Sequence, residues 1–297
     1  MIPVMDSGKN NSLSDSEPLA QADLAECQRW LPDHSVHSHK GSNGRVVVLG
    51  GEKAMAGATC LAGWAAYIAG AGLVRVATIP ENVSAITSLR PELLVSGINK
   101  VQQLKNLLHG DEVLALGPGM GQTKWSHQVF EFCLEHRQPD IIDADGLSLL
   151  AQSPDKRQGW VLTPHPGEAA RLLNCRARDI QADRIAAANE IVNIYGGICV
   201  LKGHGSLITA GDQLPRICRY GNSALAVAGT GDVLTGFLAG LLAQKMEPTN
   251  ASIAAVVLHA CAADIHAQEQ GNIGMLASDL MVPLRRLRNG YQIETNR

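Results

Sequence analysis

The stretch GRVVVLGGEKAMAGATCLAGWAAYIAGAGLVRVATIP, Gly44 to Pro80, decides the fold. Arg45 leads an unbroken apolar run that two glycines close, a long helical pattern rich in alanine follows, and Leu73 opens a second apolar run. A strand that is apolar at every position is buried on both faces, and strand, glycine turn, helix, strand is the unit of a parallel sheet. The pattern returns down the chain as EVLALGPGMG then SHQVFEFCLEH, DIIDADG, WVLTPHPGE then AARLL, and DRIAAANEIVNIYG then ICVLKGHGSLI. The predicted fold class is therefore α/β, a mostly parallel central sheet flanked by helices. Residues 232–244, 251–268 and 278–288 read as helices that complete it. No internal repeat and no proline-rich linker divides the body. Residues 1–18 are polar and rich in serine and asparagine and are expected to be mobile, while LAQADLAECQRWLP reads as a short packed helix ending at Pro32. The expected organisation is an N-terminal extension, 1–37, and one domain, 38–297.

Composition narrows the function. With 45% apolar residues and a formal net charge of -3, the chain can bury a large core and carries no basic block for nucleic acid. Small-molecule chemistry is the expectation. The seven cysteines are scattered with no CxxC pair, which is neither a disulfide framework nor a zinc pattern and suits a reducing cytoplasm. The N-terminus lacks a basic start followed by an apolar run, so no secretory signal is expected. The apolar run from Ala224 to Ala243 approaches the length of a membrane span, but Asp232 and several glycines lie inside it, so it reads as a buried helix and no membrane segment is expected.

Several turns carry chemistry. In AGTGDVLTG, glycines lead into a helix whose first turn aims unpaired N–H groups at an anion, with Asp232 beside them as a candidate base; the alternative is a plain first-turn acid. VLKGHGSLI sets Lys202, Gly203, His204, Gly205 and Ser206 after a strand, as a nucleotide-holding turn or a β-hairpin; it lacks the GxxxxGK[ST] spacing. GGEKAMAGAT and LGPGMGQ resemble nucleotide turns, but neither fits GxGxxG with an acid about 20 residues on. In TPHPGEAARLL two prolines pin the backbone around His165, and Glu168 stands near a metal-bound phosphate or merely complements a helix dipole. Asp143 and Asp145 in IIDADG would share one face if the strand continued through them, to serve magnesium or simply to terminate the strand. The histidines of HSVHSH, His34 to His39, read as a solvated loop.

Together, in order, these turns resemble the ADP/ATP-dependent NAD(P)H-hydrate dehydratases, a branch of the ribokinase-like superfamily. The resemblance runs from Ser38 to Leu287 and rests on AGAT, GAGLVRVAT, RPELLV, LGPGMG, DADGLSLL, TPHPGEAARLL, VLKGHGSLI, AGTGDVLTG and GMLASDL. It implies a three-layer ribokinase-like fold and an enzyme that repairs hydrated NADH and NADPH. A nucleotide phosphorylates the ring hydroxyl, phosphate leaves and the double bond returns. By resemblance Ala58, Gly121, His165 and Asp232 contact the hydrated dinucleotide. Lys202, Gly203, His204, Gly205, Ser206 and Gly231 hold the adenine nucleotide, Asp232 is the base, and Glu168 stands near Mg2+. It also implies a homo-oligomer, a tetramer, and ADP rather than ATP as donor. About 37 residues precede Ser38, so epimerisation is expected from another protein and action on one epimer, the S form. His165-Pro-Gly-Glu168 stands where many sugar kinases of this fold carry Asn-x-x-Glu. The main alternative is a kinase of the same fold acting on a sugar or vitamin alcohol. A nicotinamide-dependent oxidoreductase is disfavoured by the missing GxGxxG, and a non-catalytic nucleotide sensor would give Asp232 no task.

Overall fold

The structure, a computed structural model, describes residues 19–211 and 213–291; the segment 1–18, expected to be mobile, lies outside the described residues. The elements run in the order β1 (Ala20–Gln21), α1 (Leu24–Trp30), β2 (Arg45–Leu49), α2 (Ala56–Ala69), β3 (Leu73–Thr78), α3 (Val83–Leu89), β4 (Leu94–Gly97) and β5 (Val113–Leu116). Then come α4 (Lys124–His136), β6 (Ile141–Ile142), α5 (Ala144–Gln152), β7 (Val161–Leu162), α6 (Pro166–Leu172), α7 (Ala177–Ala182) and α8 (Arg184–Tyr195). The chain closes with β8 (Ile198–Leu201), β9 (Ser206–Ala210), β10 (Arg216–Cys218), α9 (Thr230–Ala243), α10 (Pro248–Gln270) and α11 (Met281–Arg288).

The strands form one sheet in the order β1-β10-β9-β8-β7-β6-β5-β2-β3-β4, and the pairings are parallel except those of β9 with β8 and β10. Alternation along each strand feeds a core on each face. In β2, Val46 and Val48 join the core under α2, α9 and α10, whereas Val47 and Leu49 join the core under α4, α5, α6 and α8. This is the three-layer arrangement that the apolar runs predict.

The glycines inside the apolar stretch of α9 have a packing reason. A Cβ at Gly236 would strike the Ala62 carbonyl, and one at Gly240 would strike that of Ala66, so the glycine face lets α9 press directly on α2. The run read as near membrane length is broken at Gly229, and α9 has 14 residues, short of the roughly 20 that a bilayer needs. Among the described residues α10 alone is long and apolar enough to cross a membrane, and most of it is buried inside the fold.

Two boundaries differ from the sequence reading. β1 pairs in parallel with β10, and Ala22, Leu24 and Cys27 are buried in the same core as α10, so the folded body begins before residue 38. β6 ends at Ile142, so Asp143 and Asp145 do not alternate along a strand; Asp143 caps α5 instead.

Candidate active site

Strand order reverses between β2 and β5: β3 and β4 follow β2 outward on one side, and β6, β7 and β8 follow β5 on the other. Such a switch point leaves a crevice beyond the carboxyl ends of the strands. The loops leaving β2 and β5 are tied together there, Gly51 N–H donating to Pro118 O at 2.9 Å and Glu52 N–H to Gly119 O at 2.6 Å. Thr78 Oγ1 and Asn82 Nδ2 donate to the Gly51 carbonyl at 2.5 and 2.6 Å, fixing the loop from below. Ala58, in the first turn of α2, and Gly121 meet around Met55: a Cβ at Gly119 would lie 3.0 Å from that of Ala58, and one at Gly121 would lie 3.3 Å from Met55 Cε. Gly121 N–H donates to Asp145 Oδ2 at 2.8 Å.

On the other side lies a cavity of about 680 Å3. Lys202, Gly203, His204, Ser206, Gly231 and His165 line it, as do Tyr220, Asn222, Thr230 and His259, which the sequence reading did not single out. Lys202 to Gly205 connect β8 to β9, which Ser206 opens, so the hairpin and the pocket wall are one feature. Gly205 belongs to that turn and does not line the cavity. Asp232 is not part of the cavity wall; it interacts electrostatically with Lys202 on one side and with Asp145, the partner of Gly121, on the other.

Two helices start at this site, and each carries an acid three residues after its cap. At α6 the cap is His165, whose Nδ1 accepts from Gly167 N–H at 2.9 Å and Glu168 N–H at 3.3 Å, while Glu168 Oε2 accepts from His165 N–H at 2.7 Å. This reciprocal cap satisfies the end of the helix. It also needs an unprotonated Nδ1, and burial and the nearby Lys202 ammonium do lower the His165 pKa. At α9 the cap is Gly229, with φ at +94° and no side-chain bond to the first turn. The left-handed turn favours glycine, and a Cβ there would crowd Leu61 Cδ1 at 2.8 Å and Ala277 Cβ at 3.0 Å. The loop before it is held by Thr230 Oγ1, which donates to the carbonyls of Leu225 and Val227 at 3.0 Å. His259 Nε2 lies 2.9 Å from Thr230 O, and burial lowers the pKa of this histidine to about 4, so the neutral ring donates there. The N-terminus of this 14-residue helix has no side-chain cap, and such a start has the N–H groups and dipole that can receive an anion.

Charge is concentrated between the two starts. Lys202 Nζ lies 2.7 Å from Asp143 Oδ1 and 3.8 Å from Glu168 Oε2, and Thr235 Oγ1 donates to Asp143 Oδ2 at 2.6 Å. Burial would raise the pKa of Asp143, but Lys202 and Thr235 outweigh it and hold the group below its ordinary value. Between Asp143 and Asp145, Ala144 has φ at +49°, a left-handed conformation uncommon outside glycine, and the two carboxylates diverge to Lys202 and to Gly121 N–H. The Asp232 carboxylate makes no hydrogen bond with a described residue. Burial, and then the Asp143 carboxylate, push its pKa up to about 7 against the pull of Lys202.

Magnesium meets a restricted set of donors. Among the described residues no three His, Cys, Asp or Glu side chains converge as a metal cage, and Glu168 has one oxygen on the His165 N–H and lies beside Lys202. The site fits an ion that arrives on nucleotide phosphates and keeps its waters, and not a resident ion in a protein cage. The HSVHSH loop stays at the surface, where His39 Nδ1 accepts from the N–H groups of Gly41 and Ser42 at 3.1 and 3.2 Å.

The family described as NAD(P)H-hydrate dehydratase matches residues 46–286. The bifunctional NAD(P)H-hydrate repair enzyme Nnr of Escherichia coli K12 is 43% identical over 290 residues; the match takes in 97% of this chain, which spans 56% of that relative's length. The ADP-dependent (S)-NAD(P)H-hydrate dehydratase of Neisseria meningitidis serogroup B is 35% identical over 262 residues, covering 85% of this chain and 87% of the relative. The crystal structure of the Bacillus subtilis ADP/ATP-dependent NAD(P)H-hydrate dehydratase, co-crystallized with ATP/Mg2+, superimposes with a TM-score of 0.83 at 30% identity, over 91% of this chain and 98% of that one. The architecture is ribokinase-like.

Proposed function

Because the chain belongs to the NAD(P)H-hydrate dehydratase family, we propose that it returns the S-epimer of hydrated NADH or NADPH to the reduced cofactor, using ADP or ATP as phosphoryl donor. One observation carries the mechanism: a carboxylate without a hydrogen-bond partner among the described residues, raised to about 7, stands at a helix start with no side-chain cap, beside the Lys202 that lines the cavity and the Asp145 that holds Gly121.

The nucleotide lies in the cavity with its phosphates toward Lys202, Gly203, Ser206 and Gly231, and the hydrated nicotinamide lies in the crevice toward Ala58, Gly121 and His165. Asp232 takes the proton of the ring hydroxyl as that oxygen attacks the terminal phosphorus, whose bond to the bridging oxygen breaks and releases AMP from ADP, or ADP from ATP. A base with a pKa near the working pH is both available and strong enough for this transfer. The N–H groups at the start of α9 and the Lys202 ammonium stabilise the transferring phosphoryl group. Phosphate then departs with the carbon–oxygen electron pair, and loss of a proton from the neighbouring carbon restores the double bond. Mg2+ would be held by the nucleotide's phosphates and water, with Glu168 the carboxylate available to it, and supplies neutralisation of phosphate charge. ADP is the preferred donor, the cytoplasm the compartment and a homotetramer the assembly in this reading; all seven cysteines being free thiols suits a reducing compartment.

The test is to mix the protein with hydrated NADH, Mg2+ and either ADP or ATP and follow the near-ultraviolet absorbance of reduced nicotinamide. Nucleotide-dependent recovery is the expected result, faster with ADP. A folded, nucleotide-binding protein that gives no recovery but leaves a stable phosphoester on an added alcohol would be a kinase of the same fold.

A further inference from the structure

The function above gives Lys202 to the nucleotide, yet its ammonium is already paired, and with a residue that the family resemblance does not assign. Asp143 is 1% exposed. One of its oxygens lies 2.7 Å from Lys202 Nζ and the other accepts from Thr235 Oγ1 at 2.6 Å, so its orientation is fixed from two sides. The same ammonium reaches the open helix start: a Cβ at Gly231 would meet Lys202 Nζ at 3.4 Å and no other group within contact distance. Lys202 thus stands between the buried carboxylate of Asp143 and the first turn of α9.

Resting on the proposed function, we propose that Asp143 is a positioning residue: it holds the Lys202 ammonium at the phosphoryl site and keeps it from neutralising Asp232, so the base and the cation of the site stay separate. The charged groups that act on Asp232 are Asp143 at the start of α5 and Asp145 within it, Lys202 from the β8–β9 turn and Glu168 from α6. From α10, His259 packs on Thr230 as a neutral ring. Of these groups, Asp143 acts on Asp232 in two ways that share a sign. Its negative charge opposes ionisation of Asp232, and its bond to Lys202 withholds the ammonium that would favour it. Removing Asp143 removes the repulsion and frees the ammonium, so Asp232 should ionise more readily; removing Lys202 should do the reverse.

The experiment is a pH titration of the Asp232 carboxyl by carbon-13 NMR in protein labelled at the aspartate side-chain carboxyl, with the Asp232 signal identified by its loss in Asp232→Asn. In Asp143→Asn the midpoint should fall by about one pH unit or more, a tenfold change in proton affinity. In Lys202→Met, which keeps Asp143 beside Asp232, the midpoint should rise above the wild-type value. The acid limb of kcat/KM for the hydrated dinucleotide should move with the titration in each variant. Opposite displacements support the proposal, since a purely structural role gives no reason for them. Unchanged midpoints in the folded variants, or displacements of the same sign, overturn it. If Asp143→Asn does not fold, the Lys202→Met displacement decides. The titration needs no substrate, so its outcome stands whether or not the dehydratase assay succeeds.

Discussion

The two helices that open onto the site begin almost alike, yet one start is closed by side chains and the other is not. α6 and α9 each have an acid three residues past the cap, Glu168 and Asp232. At α6 an imidazole closes the first turn and the acid returns the bond to the cap's own N–H. At α9 a glycine leaves the first turn without a side-chain cap, and among the described residues the acid has no hydrogen-bond donor. The difference teaches that the position of a carboxylate on a helix does not by itself make it a base. What matters is whether its own helix start uses it. A closed start gives a rigid wall, and an open one gives an anion site with a reactive carboxylate beside it.

The largest expected effect tests this contrast directly. Asp232→Asn should lower kcat by about 10^3-fold, the scale of losing a general base, with nucleotide affinity by calorimetry little changed. Glu168→Gln keeps an acceptor for the cap but gives up the carboxylate charge available to Mg2+, and should lower kcat by about tenfold, well short of Asp232→Asn. Equal losses would abolish the distinction between the two starts.

Next in size is the glycine that keeps α9 open. Gly229→Ala puts a Cβ into a left-handed residue and against Leu61, and should cost roughly 1–3 kcal/mol in chemical denaturation. A neutral result would mean that the open start is not enforced by sterics. For the closed start, His165→Ala removes the cap and should cost about 0.5–2 kcal/mol, whereas His165→Asn, itself a good cap, should recover most of it. Failure of Asn to recover stability would assign the loss to packing.

The smallest effect is on stability against pH. The folded pKa of Asp232, about 7, lies above its unfolded value. Folding is therefore relatively favoured while the group is protonated, and this contribution is lost as pH rises through about 7. Asp232→Asn should stabilise the protein at pH 8 by about 1 kcal/mol after allowance for solvent screening, and should add little at pH 5. Thermal melts at the two values check it; a gain independent of pH would not come from this carboxylate.

Much of this was legible before the structure. The unbroken apolar runs give the parallel sheet because a strand buried twice needs every position apolar. The glycine turns mark the carboxyl edge, where the switch point then brings Ala58 and Gly121 together. Local periodicity is silent where elements are too short to show it, so the two residues of β1 escape notice and α1 reads as part of an extension. The Asp143–Lys202 pair is invisible for another reason: its members are 59 residues apart and meet only because the sheet sets β6 and β8 on either side of β7. His259 leaves a faint signal, a histidine inside the apolar stretch AAVVLHACAAD, but nothing local tells that it reaches Thr230 across to α9.

The most direct measurement is the pH dependence of kcat/KM for hydrated NADH at saturating nucleotide. If Asp232, unpaired at the open start of α9, is the base, the rate should rise about tenfold per unit at acid pH and level off near pH 7, the value to which burial and Asp143 raise it. A folded, nucleotide-saturated enzyme whose rate is flat from about pH 5 upward, with its acid limb in the ordinary carboxylate range near 4, would contradict the account.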